Sequence, residues 1–317
     1  LRFTLYFLLV IIFAMAGEGS YFFEPITESF GRRLKVEKFY YQGKTKYQFV
    51  QCFYNKFLGK VLFLDEKIQS AQIDEYIYHE SLVHPALITH PSPREVLVIG
   101  GGEGATLREV LRHSTVEKVI MVDIDRELVE LCQKYLPEWS EGAFSNPKTD
   151  LIFKDARPFV EKTREKFDVI ISDLTEPLEQ GPSVFLFTEE FFSKSFEALR
   201  EDGLFVLQAG SADPSYSQFF CSLVKTLKKV FPIVRPYWTF VLSFGMPWGF
   251  VLASKTKDPL VLDEKDIAQR VRERRVKKLK YYHPGFHQSY FALPLYLVKS
   301  IKQGKVLTDN KPFIWKI

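Results

Sequence analysis

Five acidic residues recur at matching places between positions 103 and 176. Glu103 lies inside a glycine run, Gly100-Gly101-Gly102-Glu103-Gly104, that follows the apolar Val96-Leu97-Val98-Ile99 directly. Asp123 ends the next apolar run, Asp155 follows Leu151–Lys154, Asp173 closes Asp168–Ser172, and Glu176 comes three residues later. A strand, a glycine loop and a helix in that order mark a nucleotide site, because Gly100, Gly102 and Gly104 let the backbone approach a ligand closely. An acid ending the following strand, as Asp123 does, can accept hydrogen bonds from both ribose hydroxyls. Glu103 narrows the ligand: a carboxylate inside the loop would repel a pyrophosphate, which argues against NAD, FAD and ATP. It would attract a cation. A sulfonium nucleoside of the adenosylmethionine type offers ribose, adenine and positive charge without phosphate.

Any one of these acids is ordinarily a helix cap or a turn residue. Five at the equivalent place on successive strand–helix units are not explained that way. In an open α/β sheet the carboxyl ends of the strands share one crevice. Glu103, Asp123, Asp155, Asp173 and Glu176 should therefore converge there. Such an acidic pocket in a slightly basic chain (43 Lys+Arg against 39 Asp+Glu) calls for a polycationic substrate.

The elements that must carry these residues alternate. Glu95–Ile99, Lys118–Val122, Asp150–Phe153, Phe167–Ser172 and Gly203–Gln208 read as short strands. Helical stretches such as Ala105–Arg112 and Arg126–Tyr135 separate them. That alternation predicts an α/β fold with a doubly wound, mostly parallel sheet, which the aromatic stretch Phe231–Leu252 closes with late strands. Upstream, residues 32–71 read as a small antiparallel unit of hairpins, with a turn at Tyr40–Lys44 and strands at Tyr47–Tyr54, Val61–Leu64 and Ile68–Ser70. From Asp74 the pattern turns helical, and Pro91-Ser92-Pro93 marks a boundary. Lys265–Lys280 is a basic helical stretch that reads as a solvated face, since no aromatic platform interleaves it.

Of the 317 residues, 46% are hydrophobic and 26% charged, which excludes disorder and a polytopic membrane protein. A net charge of +4 is too balanced for a dedicated nucleic-acid binder. Cys52, Cys132 and Cys221 form no CxxC pair, so a reducing compartment fits better than a disulfide framework or a zinc site. His79, His84, His90 and His113 show no ligand spacing. The apolar run Leu5–Ala16 is too short to span a bilayer. It fits a signal-peptide core ending in Ala14-Met15-Ala16, but the reading favoured is an upstream extension of a reading frame that starts at Met15.

Taken together, these residues resemble a known family, the polyamine aminopropyltransferases (spermidine synthase and its relatives). The likeness is carried by Tyr21-Phe22-Phe23-Glu24, Gly59–Asp65, Ile68-Gln69-Ser70, Asp74–Glu80 (DEYIYHE), Gly100–Glu109 (GGGEGATLRE), Asp123-Ile124-Asp125, Asp155-Ala156-Arg157, Asp173–Pro177 (DLTEP) and Phe291–Pro294. It runs in order from about residue 21 to the C-terminus. It implies a Rossmann-like catalytic domain over 75–317 behind a small antiparallel β domain over 21–74, with residues 1–20 as an apolar extension. It also implies a cytoplasmic homodimer or homotetramer without metal or cofactor, nucleic-acid partner or membrane. Decarboxylated adenosylmethionine would be a cosubstrate and a diamine or polyamine the acceptor.

Carried over position by position, Gln48, Asp123, Asp155, Ala156 and Pro182 would contact the nucleoside of the donor or of the methylthioadenosine product. Glu103 would hold a substrate ammonium, Tyr78 and His79 would line the amine channel, Glu176 would grip the acceptor, and Asp173 would be the proton acceptor. Glu176 stands where the family more often has aspartate, and Leu178–Pro182 lengthens the gate loop. With Phe240–Trp248, these departures look closer to thermospermine synthases and to thermophilic enzymes that accept agmatine or longer amines. The competing readings are a methyltransferase on the same fold and a membrane-tethered polyamine-binding protein. Methyltransferases usually carry an acid where this chain has Val98. The tethered reading would use residues 1–16 as its anchor.

Overall fold

The computed structural model describes residues 20–26, 29–179, 181 and 183–315. The apolar run at 5–16, the expected start at Met15 and the expected nucleoside contact Pro182 lie outside the described residues. No described helix is long and apolar enough to cross a membrane. The chain divides after Asp74 into two compact units.

The first unit is antiparallel throughout. Strands β1 (Tyr21–Pro25) and β2 (Gly31–Lys35) form a two-stranded ribbon. A four-stranded meander follows, made of β3 (Lys38–Lys44), β4 (Phe49–Asn55), β5 (Gly59–Leu64) and β6 (Lys67–Ala71). Phe53 and Phe63 stack at 5.4 Å across β4 and β5, and Phe22 of the ribbon packs on both. Glu24, 4% exposed, accepts from Arg32 Nε at 2.5 Å and from the Ile68 backbone N–H at 3.0 Å, which ties the ribbon to β6. The strand at 21–25 precedes the expected hairpins. The turn expected at Tyr40–Lys44 is instead strand. The chain reverses at Thr45–Gln48, where the Thr45 hydroxyl accepts the N–H groups of Tyr47 and Gln48. Gly43 misled because its bare Cα makes room for the Tyr41 ring, not for a bend.

The second unit begins with α1 (Glu75–Thr89) and continues as β7 (Glu95–Gly100), α2 (Ala105–Leu111), β8 (Lys118–Asp123), α3 (Arg126–Tyr135), α4 (Pro137–Ser140), β9 (Thr149–Phe153), α5 (Ala156–Lys162), β10 (Phe167–Asp173), α6 (Glu189–Ala198), β11 (Leu199–Ser211), α7 (Gln218–Val230), β12 (Ile233–Val241), β13 (Met246–Ser254), α8 (Glu264–Glu273) and α9 (Leu295–Ser300). Its seven-stranded sheet has the order β12-β13-β11-β10-β7-β8-β9, parallel except for the two late strands. Val96, Leu97, Val98 and Ile99 are all fully buried, as a strand covered on both faces requires. From β7 the chain winds outward through β8 and β9, then returns on the other side as β10. The resulting switch point lies between β7 and β10, where ligands of such sheets bind. There the register pairs Gly100 with Asp173.

Helix α1 is buried along most of its length. Its C-terminal carbonyls therefore need partners from the protein. Arg274, 3% exposed, supplies them: its guanidinium donates to the carbonyls of Leu87, His90 and Pro91, while Arg270 donates to those of Ile88 and Thr89. The reading of Lys265–Lys280 as a solvated face holds for Lys265, Gln269, Arg272, Arg275, Lys277, Lys278 and Lys280, which are exposed, but not for Arg270 and Arg274, which turn inward. The helix stops at Glu273, and Arg270 in its last turn and Arg274 just past it act as an internal cap. At the other end of the same stretch, the buried Glu80 accepts the backbone N–H groups of Lys280, Tyr281 and Tyr282. Replacing Arg274 by Leu should cost about 2–4 kcal/mol, because several buried carbonyls lose charge-assisted donors at once. Urea unfolding of the two proteins measures it. A loss below about 0.5 kcal/mol would mean that water caps this end.

Candidate active site

The glycine loop is shaped first by the protein's own acids. Gly100 has φ +78°, and a Cβ there would lie 2.3 Å from the backbone oxygen of Asp173. The Gly101 N–H donates to that oxygen at 2.9 Å. A Cβ on Gly102 would lie 3.1 Å from Asp123 Oδ2. The bare backbone thus lets the end of β7 close on the ends of β8 and β10, and the crevice forms between them.

Asp173 is held at both oxygens. The Tyr78 hydroxyl on α1 donates to Oδ1 at 2.6 Å, and the Thr106 hydroxyl on α2 donates to Oδ2 at 2.6 Å. Burial, then the charges of Asp173, Glu103 and Glu176, push the Tyr78 phenol well above its ordinary range, so it stays a donor. Its ring packs on Phe250 and on Phe244, and Phe244 meets Trp248 at 4.6 Å. The aromatic stretch Phe240–Trp248 is therefore the hairpin of β12 and β13 that walls the Tyr78 side. Thr106 was not among the expected site residues. Its signal is its place within GGGEGATLRE, one residue into the helix that opens after the glycine loop.

Behind Asp173 runs a buried chain of charges. His79 is fully enclosed, with Nε2 2.7 Å from Glu103 Oε1 and Nδ1 3.1 Å from Glu75 Oε2. Glu75 pairs with Arg108 at 2.8 Å, and Arg108 pairs with Glu109. Burial opposes a charged imidazole, but the Glu103 and Glu75 carboxylates outweigh it and raise His79 to about 10. Burial likewise opposes ionisation of Glu75 and Glu109. His79 and Arg108 nonetheless lower Glu75, and His84 and Arg108 bring Glu109 to about 2. Glu103 itself is raised by burial, with His79 pulling against it. His79 thus reaches the crevice through Glu103 rather than with its own ring.

The remaining expected residues sit as follows. Asp123 is 9% exposed, accepts the Asp125 N–H at 2.8 Å, and is raised to about 6, chiefly by burial. Asp155, just past β9, is exposed and caps α5 through the Arg157 N–H, and Ala156 opens that helix. Glu176 is part-buried; its Oε1 lies 2.9 Å from where a Cβ on Gly210 would be. Gln48 lies in the first unit, in the Thr45–Gln48 turn. The structure therefore brings Tyr78, Glu103, Asp123, Asp173 and Glu176 around the switch point, with Asp155 one strand further out.

At the opposite, amino ends of the strands lies a group that sequence spacing did not show: His90, Asp168 and Asp202. His90 Nε2 is 3.4 Å from Asp202 and 3.9 Å from Asp168. His90 Nδ1 accepts the Ser92 N–H, so the ring proton of the neutral imidazole sits on Nε2 and faces the acids. Asp168 also accepts from the N–H groups of Arg94 and Glu95 and from Arg200. These bonds knot the starts of β7, β10 and β11 together.

Because the folded state raises His79 above its ordinary 6.5, its charge stabilises the fold fully below about pH 6.5 and loses that effect as pH rises toward 10. The stability gap between the protein and a His79→Gln variant should accordingly be widest near pH 6 and shrink by pH 10 in denaturant titrations. A gap that widens with pH would show the buried ring to be neutral.

Comparison with known proteins agrees with this geometry. Residues 75–264 match the spermine/spermidine synthase domain, and residues 20–72 match the spermidine synthase tetramerisation domain. The polyamine aminopropyltransferase 2 of Hyperthermus butylicus is 46% identical over 280 residues, 88% of this chain and 91% of the relative. A polyamine aminopropyltransferase of Saccharolobus islandicus is 41% identical over 87% of this chain and 92% of its own length. Among solved structures, a spermidine synthase in complex with the transition-state analogue AdoDATO superposes with a TM-score of 0.83 at 37% identity, covering 89% of this chain and 95% of that one. The spermidine synthase of Thermotoga maritima superposes at 0.81 and 37%, covering 89% and 94%. The chain belongs to the spermine/spermidine synthase family, the polyamine aminopropyltransferases.

Proposed function

We propose that the crevice transfers the aminopropyl group of decarboxylated adenosylmethionine to a di- or polyamine, with Asp173 as proton acceptor. The observation that carries this reading is the doubly held Asp173 carboxylate at the switch point, ringed by Glu103, Glu176 and Tyr78. An amine nitrogen attacks the propyl carbon bonded to sulfur, the C–S bond breaks toward sulfur, and methylthioadenosine leaves neutral. The attacking nitrogen must first lose a proton, since polyamines are protonated at pH 7, and Asp173 takes it. Positive charge moves from sulfur to nitrogen as the bond forms. Carboxylates that stay ionised around the crevice therefore stabilise the transition state more than the ground state.

In the same reading Asp123 accepts from the ribose hydroxyls, while Asp155 and Ala156 complete the nucleoside contacts. Glu103 faces the donor's ammonium with His79 behind it, and Glu176 grips the distal charge of the acceptor beside the Phe240–Trp248 hairpin. The first unit assembles the chain into dimers or tetramers. Its match to the tetramerisation domain supports this, as do the exposed rings of Phe23, Phe30 and Phe57, each at least 60% accessible.

The test is to incubate the protein with decarboxylated adenosylmethionine or adenosylmethionine and a panel of putrescine, agmatine and spermidine, and to identify products by mass. Only the decarboxylated donor should react. The extra carboxylate of adenosylmethionine would meet Glu103 and Asp173, and like charges near 4 Å cost about 4 kcal/mol at intermediate dielectric. Equal use of both donors, or methyl transfer, would overturn the reading.

Asp173→Asn should lower kcat about a hundredfold, whereas Glu176→Gln should act mainly on the acceptor KM. Near-normal turnover of Asp173→Asn would place the base elsewhere. Since Asp123 ionises only above about pH 6, methylthioadenosine should bind progressively more weakly from pH 7 to pH 5 in calorimetric titrations. An affinity flat across that range would remove Asp123 from the nucleoside contact.

A further inference from the structure

We infer that Thr106 is a positioning residue for the transfer reaction, fixing the plane of the Asp173 carboxylate against the acceptor nitrogen. The inference rests on the proton-accepting role given to Asp173 above. Thr106 is fully buried, and its hydroxyl lies 2.6 Å from Asp173 Oδ2. The terminal torsion of an aspartate is broad and soft, so one donor tethers the group without setting its plane. Tyr78 is such a tether, on Oδ1. A second donor on the other oxygen, carried by a different helix, removes the remaining rotation and leaves each oxygen a lone pair for the substrate. The backbone closes the third side: a Cβ on Gly101 would stand 3.2 Å from the same Oδ2.

The choice of residue agrees. One residue into α2, Thr106 has no preceding helical turn whose carbonyl its hydroxyl could take. Thr106 instead sends it across to β10. A valine would fill the same space without a donor.

Thr106→Val should lower kcat about tenfold, the cost of one hydrogen bond to a charged group. The acceptor KM and methylthioadenosine affinity should stay within twofold, and Thr106→Ser should recover most of the rate. The decisive measurement is a double-mutant cycle. In the Asp173→Asn background, whose residual turnover is followed by mass over long incubations, Thr106→Val should cost less than twofold. Unchanged kcat in Thr106→Val, or an equal loss in both backgrounds, would overturn the inference while leaving Asp173 as the base. Near-normal turnover of Asp173→Asn alone would overturn the role of Asp173 and the inference together.

Discussion

The site depends on the close approach of two parallel strand ends. The end of β7 meets the end of β10 so tightly that Gly100 has no room for a side chain, and Gly101 bonds to the backbone of Asp173. Where the winding of a parallel sheet reverses, the loops that follow the two central strands diverge and leave a crevice. Here the same reversal presses those loops together at their base. Asp173 is thus set by backbone as well as by side chains, and the carboxylate cannot drift away from the helices that donate to it.

A second constraint is electrostatic. Burying several carboxylates in one crevice destabilises their ionised forms, first by desolvation and then by mutual repulsion, as the raised Asp123 and Glu103 show. The fold answers with buried cations behind the crevice: His79 against Glu103 and Glu75, then Arg108 between Glu75 and Glu109. Such buried pairs add little net stability compared with apolar packing. His79 pulls against the burial that raises Glu103 and so favours its charged form. The Tyr78 phenol, next in sequence to His79 and with its ring 4.9 Å from that imidazole, holds Asp173. One helix, α1, therefore delivers both the counter-charge and the clamp, and its far end is held by Arg270 and Arg274.

Much of this was legible in the residues alone. Alternating apolar runs and helical stretches dictate a doubly wound sheet, because period and length leave few ways to bury them. The acids at strand ends follow from that topology, since all carboxyl ends of parallel strands face the same side. Family-like motifs, from DEYIYHE to DLTEP, named the residues that the fold then gathered around the switch point.

What only the tertiary structure decided was which neighbour each polar group meets. Thr106 lies inside GGGEGATLRE, yet nothing in that motif names its partner, 67 residues away. Arg270 and Arg274 of the basic stretch looked solvated because a helical pattern does not say which buried carbonyls lie across from it. Gly43 looked like a turn, and a ring beside it made it strand. His90, Asp168 and Asp202 share no spacing, yet meet where three strands begin. Local pattern determines the elements, because hydrophobic period and backbone preference act over a few residues. Hydrogen-bond partners and buried charge pairs are settled by long-range packing, which brings together residues with no relation in sequence.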